Sequence, residues 1–370
     1  MNSGAAQFLE GEEAVDDIDE SREVIPYVYS ITAYGADYPV DSLVKRIDSG
    51  DIVVPRFSWL DDASEITGFQ REYVWPRPKS DRFVESLLLG LPVPGIFLVK
   101  EPSGRFLVLD GHQRLRTLQS FYSGEIHGKV YRLDNVEARF QKKRYEDLDV
   151  EDRRRLDDSI IHATVIRQDE PTEDQSSVYM IFERLNTGGV NLQPQEIRVA
   201  LYHGELVRVL RQLNELPAWR NLYGKRSIRL KDMELILRFF AFYYRASHYK
   251  SPMKEFLNTY MASNKDLACQ SKDELVRIFS NTVTLLDRAV GHGALRPLRA
   301  VNAAVADSVM TGLARRITRA PIHDTSQVSQ RYDALLKDHD YQRAIADRTS
   351  HESNVGIRIN AATAAFANVE

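Results

Sequence analysis

One short stretch of the chain combines a carboxylate, a glycine, an amide and an arginine in a pattern suited to binding an anion. It consists of Asp110, Gly111, His112, Gln113 and Arg114. Where a helix begins, its first backbone N–H groups have no acceptor within the helix, and the macrodipole attracts negative charge. The glycine lets the backbone come close to a bound group. The arginine, one turn into the helix, can form two parallel hydrogen bonds to a phosphate.

The residues on either side predict the elements that position this stretch. The continuous apolar run 106–109 is typical of a buried strand, and another strand is predicted over 96–100. Between them, residues 101–104 read Glu-Pro-Ser-Gly, which has hairpin-turn chemistry. After the stretch, apolar residues recur at helical spacing at Leu115, Leu118, Phe121 and Tyr122. We therefore expect a β-hairpin that leads into a strand–turn–helix junction.

A purely structural role explains the same residues. Asp110 can cap the helix through its carboxylate, and Arg114 can pair with a neighbouring acid. Short motifs also occur by chance. Local chemistry therefore leaves the structural and the phosphate-binding interpretations open.

A second stretch places a cation among aromatic rings. Arg71 lies between Phe69 and Tyr73, and Trp75 follows. This arrangement suits a phosphate contact beside a stacking surface. The alternative is that the three aromatic side chains belong to the core and Arg71 is a surface cation.

Composition limits the class of protein. The 370 residues suffice for two domains, and a hydrophobic content of 43% supports a core. The net charge of −4 argues against a protein that is basic overall, although a local patch can still bind nucleic acid. Cys269 is the only cysteine, which excludes an intrachain disulfide and a cysteine-based zinc site. No apolar run approaches the ~20 residues of a membrane span, and no signal-peptide pattern is present, so a cytoplasmic location without a membrane partner is expected.

The order of patterns predicts an α+β organisation. Residues 1–23 carry eight acidic residues and few apolar ones, which indicates a disordered acidic arm. Nearly all strand-like runs lie between residues 24 and 170, which predicts a mixed α/β domain there. Residues 171–370 are predicted to form an all-helical domain. Its helical patterns lie near 178–185, 205–214, 232–245, 253–261, 272–290, 299–318 and 326–338.

Four stretches, in their order along the chain, are similar to one known family. They are 69–75, 91–94, 110–115 and the run 182–198, which includes Asn186-Thr187-Gly188-Gly189. Together they resemble the DUF262 family, the type of N-terminal domain found in GmrSD-like type IV restriction systems. The resemblance runs from about Tyr29 to at least Tyr202, and it implies a core like the ParB/sulfiredoxin fold.

The resemblance implies that the domain binds, and often hydrolyses, a nucleoside triphosphate (GTP, ATP or CTP) with Mg²⁺ in defence against phage. Catalytic roles are then expected for Asp110, Gln113 and Arg114, with Asp110 orienting a water or the Mg²⁺. Contacts to the nucleotide are expected from Arg71, Trp75, Gly111, His112, Thr117, Asn186 and Thr187. The implied partners are DNA, including modified phage DNA, and a separate nuclease or defence subunit.

The turn at Asn186 and Thr187 has two interpretations. The two glycines that follow are common helix C-cap residues, which favours a simple helix end. Glycine-rich turns also expose backbone N–H groups that bind anions. Given the resemblance, we expect both side chains to reach toward the Asp110–Arg114 pocket and to report nucleotide occupancy to the helical domain.

The chain departs from the family pattern in two ways. The family signature is Asp-Gly-Gln-Gln-Arg, and His112 stands at its third position. Histidine still donates or accepts a hydrogen bond but titrates near neutral pH, which is compatible with nucleotide binding and puts the rate of hydrolysis in question. In addition, the histidines of residues 290–370 are scattered and show no pattern of a His-Me-finger nuclease.

Three functions compete at this point. The first is an NTPase that regulates a defence nuclease. The second is a module that binds nucleotide or DNA and switches a partner without turnover, which His112 favours slightly. The third is a ParB-like nuclease, which the missing metal cluster disfavours. The sequence leaves the identity of the nucleotide, the DNA modification and the oligomeric state, including a homo-oligomer, open.

Overall fold

The computed structural model describes residues 15–16, 30–55, 75–126, 128–170, 176–185, 192–297 and 299–370. The chain divides into two compact units. One is Tyr27–Leu192, and the other is Gln193–Glu370 together with Met1–Pro26.

The described residues form strands β1 Val15–Asp16, β2 Ser30–Pro39, β3 Ile52–Val53, β4 Ile96–Lys100, β5 Phe106–Asp110, β6 Glu125–Ile126, β7 Lys129–Val130, β8 Ile160–Glu170 and β9 Val301–Asn302. The helices of the first unit are α1 Val40–Asp48, α2 Arg77–Leu88, α3 His112–Ser123, α4 Val150–Asp157 and α5 Ser176–Leu185. Those of the second unit are α6 Pro194–Leu201, α7 Glu205–Asn214, α8 Pro217–Tyr223, α9 Lys231–Arg245, α10 Met253–Asn264, α11 Lys272–Ala289, α12 Ala303–Ile317, α13 Thr325–Leu336, α14 His339–Ala346 and α15 Glu352–Phe366.

The first unit is built on a five-stranded mixed sheet in the order β2-β8-β4-β5-β3. Strands β2 and β8 pair antiparallel along their length, and β4 pairs parallel with β8. Strands β4 and β5 form the predicted hairpin, with an irregularity between Phe97 and Leu98. Strand β3 adds to the edge, parallel to β5. This order places the end of β5 beside the start of β4.

Both faces of the sheet are covered. Side chains alternate between faces along a strand, and Leu98, Val108 and Val165 join the main core cluster with residues of α1 to α4, such as Val84 and Leu118. The opposite face contributes other buried strand residues, including Val99, Leu107, Leu109 and Ile166. Helix α5 contacts β5 and β8.

Among its described residues, the second unit consists of helices and one two-residue parallel pairing between β1 and β9. Helix α12 is its centre, since every residue from Ala303 to Ala314 is buried. Helix α15 packs closely on it. A Cβ on Gly312 would lie 2.7 Å from the backbone of Ala362, so only glycine permits this approach.

The predicted fold class, a mixed α/β domain followed by a helical one, is confirmed. The predicted acidic arm 1–23 lies outside the described residues except for β1. In the part of the chain that the structure describes, no helix combines the length and apolar character needed to cross a membrane.

Candidate functional site

The strand–turn–helix junction predicted from the sequence is present. Strand β5 ends at Asp110, Gly111 adopts a left-handed conformation with φ of 96°, and α3 begins at His112. Positive φ is strongly disfavoured for residues with a Cβ. A Cβ on Gly111 would also lie 2.4 Å from Cγ2 of Ile96 in β4. Glycine is therefore required here both by the backbone conformation and by the close approach of the neighbouring strand.

Arg114 connects the N-terminal end of α3 to β5 and to the residue that precedes β4. Its Nη2 donates to Oδ2 of Asp110 at 2.7 Å and to the carbonyl of Gly95, just before β4, at 2.9 Å. The Arg114 side chain is 13% exposed, whereas the Asp110 side chain is 48% exposed. The ion pair of the structural interpretation is thus formed, and its acid is Asp110 itself. An incoming anion would meet a guanidinium already oriented by a carboxylate.

The first turns of α3 also hold the chain on either side of residues 56–74. The backbone N–H of Trp75 donates to Oε1 of Gln113 at 3.1 Å. Nη2 of Arg116 donates to the carbonyls of Pro55 at 2.7 Å and Val54 at 3.2 Å. Residues before and after the segment that contains Arg71 are therefore fastened to the same helix.

Trp75 is partly buried against the core of the first unit. Its ring meets Phe83 edge-on, with centroids 5.5 Å apart. The ammonium group of Lys79 lies 4.8 Å from the ring centroid. The tryptophan therefore has the packing contacts of a core residue and also a cation over its ring.

His112 packs against helix α5. Its ring stacks on Phe182 of α5, with centroids 6.1 Å apart and planes at 24°. Burial and the neighbouring Arg116 lower the pKa of the imidazole from 6.5 to about 4, although the Asp110 carboxylate and a hydrogen bond to the Val108 carbonyl oppose this shift. The imidazole is therefore neutral at physiological pH.

Thr117 lies on another side of α3. Its side chain is buried, and its hydroxyl donates to Oγ of Ser80 in α2 at 3.4 Å. This contact packs α3 against α2, so the structure gives Thr117 a core position.

The structure brings Asp110, Gly111, His112, Gln113 and Arg114 together at one junction and links Trp75 to it. Arg71, Asn186 and Thr187 lie outside the described residues, and their roles stay predictions. Sequence reasoning missed Gly95 and Arg116. Arg116 directly follows the motif 110–115, and this position was a signal that could have identified it, whereas the role of Gly95 depends on the pairing of β4 with β5.

The predicted Mg²⁺ would rely on one carboxylate. Among the residues that the structure describes, no group of three or more His, Cys, Asp or Glu side chains could hold a metal. Mg²⁺ in nucleotide sites is commonly bound through one or two carboxylates, with phosphate oxygens and waters completing the octahedron. The half-exposed Asp110 can supply the single carboxylate that such an arrangement requires.

The depressed pKa of His112 predicts a pH-dependent stability. Between pH 6.5 and about 4 the unfolded chain binds a proton that the folded imidazole does not, so stability falls as the pH is lowered through this window. Above pH 6.5 the contribution of the neutral His112 to the free energy of unfolding is fully present. Urea denaturation at pH values of about 4.5 and about 7.5 should show a larger acid-induced loss for the wild type than for His112→Gln. An equal acid-induced loss of stability in the two proteins would contradict the lowered pKa of His112.

A comparison with known protein families gives a match to part of the chain. Residues 41–203 match the family model described as the GmrSD restriction endonuclease, N-terminal domain. No curated protein and no solved structure matches the chain. The matched range starts in α1, ends just after α6 and includes the junction at Gly111. Over residues 41–203 the chain therefore carries a GmrSD-type N-terminal domain of the DUF262 family, which is a domain of restriction-system proteins.

Proposed function

We propose that the junction from Asp110 to Arg114 binds a nucleoside triphosphate with Mg²⁺, and that the protein is a nucleotide-hydrolysing sensor of a restriction system. The observation that carries this proposal is the left-handed Gly111 turn, which brings the start of α3 next to a half-exposed carboxylate and a guanidinium. A helix N-terminus favours phosphate through its backbone N–H groups and macrodipole. The GmrSD-type match over the same residues supports it independently.

In the proposed chemistry, Arg114 and Asp110 have different roles. Arg114 neutralises phosphate charge, and Asp110 orients Mg²⁺ or the attacking water, as phosphoryl transfer requires. The bond from Trp75 fixes the amide of Gln113 with its oxygen toward the Trp75 backbone. Gln113 can then present its amide nitrogen to a phosphate oxygen or a water. Arg71, from the segment before Trp75, would add a second cation.

The proposal extends to partners through the family match. A restriction-system domain that senses nucleotide needs a target and an effector. We propose DNA, including modified phage DNA, as the target, and a separate nuclease or defence subunit as the effector.

The proposal predicts that nucleotide binding depends on Arg114. Arg114→Lys should weaken binding of Mg·GTP, Mg·ATP or Mg·CTP by about 10- to 100-fold, because a charge-assisted hydrogen bond contributes about 1.5–3 kcal/mol. Titration calorimetry measures the affinity, and released phosphate measures turnover. Asp110→Asn should remove turnover. The exposed Asp158 at the end of α4 provides the matched control, since Asp158→Asn should change neither quantity. Wild-type protein that binds none of the three nucleotides would end the proposal.

A binding module without turnover is the second candidate. The Asp110–Arg114 ion pair favours it, because a carboxylate held by a guanidinium is a weaker ligand for Mg²⁺ or water. Nucleotide that raises the melting temperature while no phosphate is released would select this function.

A further inference from the structure

The His112–Phe182 stack is a contact between the candidate site and a separate helix. Val178, Tyr179 and Phe182 form the buried side of α5. Phe182 meets the imidazole of His112 nearly parallel, at 24°. The first helical residue of the junction is thus also a packing partner of α5.

The position of the imidazole is set by the junction itself. His112 follows directly after the left-handed Gly111, which lies so close to Ile96 of β4 that an added Cβ would clash with that side chain. The hydrogen bond to the Val108 carbonyl ties the ring back to β5. A change in the backbone of the turn therefore moves the ring against Phe182.

We propose that His112 is a positioning residue that transmits occupancy of the Asp110–Arg114 junction to α5 through Phe182. This inference rests on the proposed function, and its ligand is the same nucleoside triphosphate with Mg²⁺. A ligand held by the turn favours the turn conformation in which the ring stacks on Phe182. Helix α5 is then restrained when nucleotide is bound, and binding is weakened when the stack is lost, because coupling between two sites is reciprocal.

The experiment is hydrogen exchange of the full chain with and without Mg·GTP, Mg·ATP and Mg·CTP, followed in peptides that cover Ser176–Leu185. In the wild type, the nucleotide that binds should slow exchange in α5 by about 5-fold or more, the lower end of typical coupling. Phe182→Leu keeps an apolar side chain but removes the stacked ring. It should abolish this protection and raise the Kd by about 2- to 12-fold, the range that corresponds to one aromatic pair.

A matched control separates transmission from simple packing. Val178 is buried on the same helix, so Val178→Ala should speed exchange in α5 without nucleotide but keep the protection ratio and the Kd. Nucleotide binding with unchanged exchange in α5 would overturn the inference and leave the proposed function standing. Equal effects of Phe182→Leu and Val178→Ala on the ratio would also overturn it. A wild type that binds no nucleotide would overturn the proposed function and this inference together.

Discussion

Asp307→Ala is expected to lower the free energy of unfolding of the helical unit by about 3–5 kcal/mol, the cost of breaking a buried ion pair by removing one partner. Asp307 is buried, and its two oxygens accept from Nε and Nη2 of Arg238 at 3.0 and 2.6 Å. Nη2 of Arg358 donates to the same carboxylate at 3.0 Å. Burial already lowers the pKa of Arg358. Without the shared acid, two desolvated guanidinium groups would face each other.

Urea denaturation, with hydrogen exchange of Ala303–Ile317 as a local measure, tests this expectation. Asp333 on α13 is an exposed aspartate of the same unit and serves as the control. Asp333→Ala should change stability by no more than about 0.5 kcal/mol, as expected for a surface site. A loss below about 1 kcal/mol for Asp307→Ala would mean that the carboxylate is not the partner that stabilises the two arginines.

The contact between these buried charges could not be predicted from the sequence. Arg238, Asp307 and Arg358 come from three helices, and nothing in the local pattern of any one of them indicates the other two. Helical periodicity did predict α7 and the longer helices from α9 to α13, because it depends on neighbours three and four residues apart. It missed the short helices α8 and α14. It also missed α15, whose alanines and glycine blur the contrast between faces.

In the candidate site, too, contacts between residues close in sequence were predictable and contacts between distant residues were not. The junction around Gly111 was predictable, since a strand, a glycine and a helix are successive in the chain. An ion pair between Arg114 and a neighbouring acid was one predicted alternative, but Asp110 was expected to cap the helix and was not named as that acid, although residues four apart are neighbours on a helix. The bond from Arg114 to Gly95 was not predictable, since it depends on the register of the hairpin and its irregularity near Phe97. The contact of Thr117 with Ser80 depends on how two helices pack.

The antiparallel pairing of β2 with β8 could not be predicted from the sequence either. Strand β2 lies within residues 24–170, where the strands were predicted, but it continues through Tyr34 and Gly35 to Pro39. Most of β2 is exposed, so its sequence lacks the apolar signal of a buried strand. Its hydrogen-bond partner is β8, which lies more than a hundred residues later in the chain.

Gly111→Ala is expected to have the second large effect, a destabilisation of the first unit by about 2–5 kcal/mol. About 1–2 kcal/mol comes from a left-handed residue that carries a Cβ. About 1–3 kcal/mol more comes from forcing that Cβ into a packed site, here against Cγ2 of Ile96 at 2.4 Å. Because the turn must move to relieve the clash, the variant should also lose nucleotide binding.

The variant Gly104→Ala separates the cost of the left-handed conformation from the cost of the clash with Ile96. Gly104 has φ of 87° in the turn between β4 and β5, and a Cβ there would meet nothing within 4 Å. Gly104→Ala should therefore show only the conformational strain, about 1–2 kcal/mol, and should leave the nucleotide affinity unchanged. Denaturant unfolding and nucleotide titration of both variants give the comparison. If the two alanines cost the same free energy, Ile96 does not constrain the turn. If Gly111→Ala still binds nucleotide like the wild type, the phosphates are not held at the Gly111 turn.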